Sequence, residues 1–132
     1  MAPLYRTAAV AALPQPDYWN TAVLAHTRLA PEAVLALAKA LEHAAGRRAA
    51  PRDAPRPLDV DLLLHGDTVS AGPELVLPHP RLAARRFALL PLAAIAPDLP
   101  VPPDGVRVAE LLARLPAGER VERVGWSRPP LP

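Results

Sequence analysis

Between positions 58 and 64 the chain reads Leu-Asp-Val-Asp-Leu-Leu-Leu, an apolar run interrupted at alternate positions by Asp59 and Asp61. That alternation predicts a strand over 58–64, closed by a turn at Gly66-Asp67. A second strand is predicted over 17–28, where β-branched and aromatic residues follow Pro14-Gln15-Pro16. Pro31-Glu32 opens a helix to about Ala45, with Pro at the first turn and an acidic residue favouring the N-terminal dipole. Its expected buried stripe is Val34, Leu37, Ala38 and Leu41, and Gly46 ends it. Further along, the pattern predicts short strands at 68–70 and 75–77, a helix over 82–95 despite Pro91, and a Pro- and Asp-rich loop over 97–105. A short helix over 108–115 and a last strand over 120–124 complete the elements. Strand, helix and strand followed by helices describe a compact α/β or α+β sandwich. It occupies a single domain over 1–127, with a loose Pro-rich tail over 128–132.

Composition narrows the class. At 132 residues the chain has room for one core, and its 51% hydrophobic content excludes a disordered tail. With 4% aromatics, Leu, Val and Ala must fill that core. No cysteine is present, so disulfides and thiolate chemistry are excluded, in keeping with a reducing cytoplasm. No apolar run reaches membrane-span length, and no signal peptide opens the chain. Net charge is +2, with Lys39 the sole lysine among the basic residues. A nucleic-acid binder is disfavoured, because the basic residues do not form one aromatic-studded face.

Four clusters carry candidate chemistry. On a strand, Asp59 and Asp61 share a face about 6.7 Å apart, within reach of one divalent cation or two neighbouring ones. Their hard oxygens suit Mg²⁺. The plain alternative is two solvent-facing carboxylates on an edge strand. Just upstream, positions 46–57 hold Arg47, Arg48, Arg52 and Arg56 with three prolines, a loop expected to be mobile. Arginine's fixed fork matches phosphate oxygens. The third cluster is Pro78-His79-Pro80-Arg81 with Arg85, Arg86 and Phe87. The fourth is Asp17-Tyr18-Trp19-Asn20, an aromatic face beside an amide, suited to a flat heterocycle. Carboxylates, arginines and a histidine are ingredients of phosphoryl transfer, and no P-loop is present. His26, His43 and His65 are read as structural or surface residues.

These clusters, in this order, resemble the 6-hydroxymethyl-7,8-dihydropterin pyrophosphokinase family of folate biosynthesis. The segments that carry the resemblance are Leu4-Tyr-Arg-Thr7, Gln15-Pro-Asp-Tyr-Trp-Asn20, Leu41-Glu42 with Gly46-Arg47, Ala54-Pro-Arg-Pro-Leu-Asp-Val-Asp-Leu-Leu-Leu-His-Gly66, Leu77-Pro-His-Pro-Arg81 and Arg85-Arg-Phe-Ala-Leu-Leu-Pro-Leu92. The resemblance implies a ferredoxin-like α+β fold with an antiparallel or mixed sheet. It further implies transfer of pyrophosphate from ATP to the pterin hydroxymethyl group, leaving AMP. It implies that Asp59 and Asp61 hold two Mg²⁺ ions and, with Arg47 and Arg56, form the catalytic set. Tyr18 and Phe87 would sandwich the pterin, with Asn20 at its edge and Thr7 and Val10 nearby. Glu42, Leu62, His79 and Arg85, with Arg47 and Arg56, would bind ATP.

The sequence also departs from the family pattern. Ala49 stands where the family has a further Arg, Ala54 where it has Gly, Asp53 where Trp or Asn is usual, and Pro80 where an aromatic is common. Family members open with a strand, a turn and a long helix before the Tyr-Arg-Thr segment, so the sequence predicts a chain lacking its first β-α unit. Self-association through an exposed sheet edge is the corresponding expectation. The competing expectation is an impaired fragment, a nucleotide- and metal-binding module that needs a partner to complete its sheet.

Overall fold

The computed structural model describes residues 1–7, 18–46, 58–116 and 121–124. It divides into two compact units, Met1–Ala25 with Arg81–Pro132, and His26–Pro80. Both are built from helices and short antiparallel sheets, so the protein is α+β.

In the first unit, β1 (Leu4–Thr7) is the central strand, flanked by β2 (Tyr18–Asn20) and the last strand, β7 (Val121–Val124). Both pairings are antiparallel, with Tyr5 opposite Asn20 and Thr7 opposite Tyr18. Alternation along the strands sends Tyr5 inward, 3% exposed, and Trp19 outward, 54% exposed. The strand predicted over 17–28 is therefore only three residues long within the described segment. Beyond Asn20 the chain leaves the ladder, and the Thr21 hydroxyl donates to the Ala2 carbonyl at 2.8 Å. The Ala2 amide donates in turn to Ala22 at 2.8 Å.

A single 3₁₀ turn, Leu82–Ala84, precedes α2 (Arg86–Ile95), and extended Arg85 (φ −110, ψ 96) separates them. The helix predicted over 82–95 is thus broken at its fourth residue. Pro91 is accommodated inside α2, where it is buried with Leu89 and Leu92. Helix α2 packs on β1, β2 and α3 (Val108–Arg114). Val108 and Leu82 complete this core. The stretch predicted as a loop over 97–105 contains half of a hairpin, β5 (Pro100–Val101) against β6 (Val106–Arg107). Its turn is made by Gly105 at φ +76, whose amide donates to Val101 at 2.8 Å.

The second unit holds α1 (Pro31–Ala44) and a small hairpin, β3 (Ser70–Ala71) with β4 (Val76–Leu77). Pro31 occupies the first helical position, and extended Ala30 caps it without a side-chain bond. Gly46 at φ +102 closes the helix, its amide donating to His43 at 3.0 Å. Ser70 clamps the hairpin by donating to the Leu75 carbonyl at 2.7 Å. Leu75 and Leu77 are buried.

Two expectations are corrected here. The buried residues of α1 are Ala38 and Glu42, whereas Leu37 and Leu41 are 53% and 51% exposed. Of the expected stripe, Ala38 is buried and Val34 partly buried, while Leu37 and Leu41 face outward and the inward position of the last turn is taken by a carboxylate. The segment over 58–64 forms no strand ladder among the described residues. Its backbone groups are partnered individually: the Val60 amide donates to Glu42, and the Leu63 carbonyl accepts from His79 at 2.9 Å. The mobile loop expected between 47 and 57 and the tail over 128–132 lie outside the described residues.

Candidate active site

In the second unit, Asp59 and Asp61 lie on the surface, on either side of partly buried Val60. Exposure alternates only across Asp59, Val60 and Asp61: Leu58 is exposed as well, and Leu62, Leu63 and Leu64 are all partly buried. What fixes Val60 is the Glu42 carboxylate, which accepts the Val60 N–H at 2.9 Å. Glu42 is 8% exposed, on the last turn of α1. A carboxylate buried to that degree requires donors, and a backbone N–H supplies one. No signal in the apolar pattern points to this contact. A Glu at an inward helix position was its only trace.

Leu62 is half-buried next to the pair. The segment over 58–65 is joined to the Pro78-His79 turn through the His79 amide, and His79 itself is half-buried. His65, read as structural or surface, donates from its Nε2 to the Leu29 carbonyl at 2.9 Å. Asp59, Asp61, Leu62, His79 and Glu42 thus belong to one unit, and two of them are tied by backbone contacts to the same short segment.

The first unit carries the other group of predicted residues. Phe87 opens α2, and the Arg85 guanidinium lies 5.4 Å from its ring centroid. Asn20 sits on β2, on which α2 packs, opposite buried Tyr5. The ladder sets Thr7 opposite Tyr18. Arg86, at the start of the same helix, instead reaches back to the Leu115 and Pro116 carbonyls at 3.4 and 3.2 Å, a structural use. Val10, Arg47 and Arg56 lie outside the described residues, as do the side chains of Thr7 and Tyr18.

The donor set suits Mg²⁺. Among the described residues no three His, Asp or Glu side chains come together as a metal cage. Two exposed carboxylates on one short segment are what a Mg²⁺ bound largely through substrate phosphates and water requires of a protein. No helix among the described residues is long and apolar enough to cross a membrane.

The first unit thus presents a cation over an aromatic ring, and the second an exposed Asp-x-Asp pair. Comparison with known proteins makes this specific. Residues 1–97 match the family model for 7,8-dihydro-6-hydroxymethylpterin-pyrophosphokinase. The chain is similar to the 2-amino-4-hydroxy-6-hydroxymethyldihydropteridine pyrophosphokinase of Pseudomonas aeruginosa, 40% identical over 124 residues, which are 94% of this chain and 75% of that protein. It is 38% identical to the protein of the same description from Synechocystis sp., over 77% of this chain and 52% of the relative. A folate synthesis bifunctional protein of Arabidopsis thaliana, mitochondrial, is 42% identical over 67% of this chain and 16% of its own length. The chain belongs to the 7,8-dihydro-6-hydroxymethylpterin-pyrophosphokinase family.

Proposed function

We propose that this protein transfers pyrophosphate from ATP to the hydroxymethyl group of 6-hydroxymethyl-7,8-dihydropterin, releasing AMP, as a step of folate synthesis. The observation that carries the reading is the exposed Asp59/Asp61 pair, held by Glu42 within a chain of this family. The substrate hydroxyl oxygen forms a bond to the β-phosphorus. The P–O bond between the α- and β-phosphorus breaks, its electron pair leaves with AMP, and the hydroxyl proton passes to solvent.

Asp59 and Asp61 are the residues that would hold two Mg²⁺ ions. When bound, these ions supply charge neutralisation on the triphosphate. Arg47, Arg56, His79 and Arg85 bind the phosphates and offset charge that develops on them. Leu62 lies against the nucleotide. Phe87 and Tyr18 stack the pterin, Asn20 hydrogen-bonds its edge, and Thr7 and Val10 border it. Fixing both substrates in this way supplies the positioning on which phosphoryl transfer depends.

The same reading assigns a ferredoxin-like arrangement, a single domain and a cytoplasmic location. Self-association through an outer strand is part of it as well, since β2 and β7 flank the three-stranded sheet. Product analysis tests the reaction. AMP together with a pterin heavier by one diphosphate is expected, whereas ADP with a monophosphorylated pterin would contradict it.

A further inference from the structure

We propose that Glu42 is a positioning residue for the Asp59/Asp61 pair, acting through the Val60 amide and not by touching nucleotide or metal. The inference rests on the pyrophosphokinase reading and deepens it. Three observations carry it. First, Glu42 is 8% exposed, and its Oε2 accepts the N–H of the one residue that separates the two aspartates. Second, the described backbone bonds of the 58–64 segment are individual ones, this one at Val60 and one at the Leu63 carbonyl. Third, Glu42 does not join Asp59 and Asp61 as a ligand set, because no cluster of three metal-ligating side chains exists among the described residues.

A buried carboxylate bonded to a backbone N–H forms a charge-assisted bond, stronger than a neutral one. Bonding at Val60 fixes the peptide from which both flanking carboxylates project. Release of that amide would let the segment turn, and the pair would no longer present its oxygens together.

The test separates reach from charge. Glu42→Gln keeps an acceptor oxygen at the same distance but loses the charge. Glu42→Asp keeps the charge but falls one methylene short, and Glu42→Ala removes both. Binding of Mn²⁺ in the presence of α,β-methylene-ATP is followed by electron paramagnetic resonance, and Val60 amide exchange by NMR. Positioning predicts that Gln stays within about threefold of the parent. Asp and Ala should each bind about tenfold more weakly, with the Val60 amide exchanging about tenfold faster, the scale of one lost buried hydrogen bond.

Parent-like binding by Asp with a tenfold loss in Gln would overturn the inference, since charge and not reach to the Val60 amide would then matter. Parent-like binding in all three would overturn it too. Should Ala fail to fold, the order of Gln and Asp decides. A parent chain that neither binds Mn²⁺-nucleotide nor forms AMP defeats the pyrophosphokinase reading and this inference with it. A parent that does both, beside variants indistinguishable from it, defeats this inference alone.

Discussion

The Arg85 guanidinium lies over the Phe87 ring, 5.4 Å from its centroid, at the junction where a 3₁₀ turn gives way to α2. Extended Arg85 breaks the helix there, and the break turns its side chain back over the first turn of α2. The proposed phosphate-binding cation and the proposed pterin-stacking ring are thereby joined in one small unit. At partly exposed sites such a pair contributes about 0.5–1 kcal/mol. Arg85→Met and Phe87→Leu should therefore be coupled. In a double-mutant cycle on kcat/KM, the combined loss should differ from the product of the single losses by about two- to fivefold. Strict multiplicativity would show that the two side chains act separately.

Stability should respect the corrected face of α1. Leu77 is 1% exposed and Leu37 is 53% exposed, although both are leucines of the second unit. Leu77→Ala should destabilise by about 2–5 kcal/mol. Leu37→Ala should stay within about 0.5 kcal/mol. Urea unfolding of the two variants measures the difference.

Gly46 closes α1 at φ +102, a backbone region that costs other residues strain. Gly46→Ala should lower stability by about 1–2 kcal/mol. Since α1 also carries Glu42 four residues earlier, the variant should weaken Mn²⁺-nucleotide binding as well. Thermal melting and the same resonance titration check both effects.

Much of this molecule was legible in its sequence, and the failures have physical causes. The end of α1 at Gly46, helix α3 and strand β7 followed from local signals: a left-handed glycine, an apolar Val108-Ala-Glu-Leu-Leu run and a β-branched Val121–Val124. Positions 58–64 carry a strand's alternation in sequence without a ladder among the described residues, because pairing depends on a neighbour that no local pattern encodes. The α1 stripe held at Ala38 but not at Leu37 and Leu41, because a carboxylate occupies the inward position at 42 and hydrophobic periodicity cannot point to it. The β5–β6 hairpin was hidden by its prolines, which removed the usual strand signature. The candidate pterin and metal residues were legible as types. Their assignment to two separate units was not, since it follows from which elements pack together.

The central claim is that Asp59 and Asp61 serve pyrophosphate transfer. Its most direct test is AMP formation from ATP, Mg²⁺ and 6-hydroxymethyl-7,8-dihydropterin, by the parent chain and by the Asp59→Ala, Asp61→Ala double variant at equal folded concentration. Loss of a preorganised electrostatic group costs on the order of a hundredfold or more in rate. The account predicts AMP from the parent and at least a hundredfold less from the double variant. AMP formed at equal rates by both would contradict it.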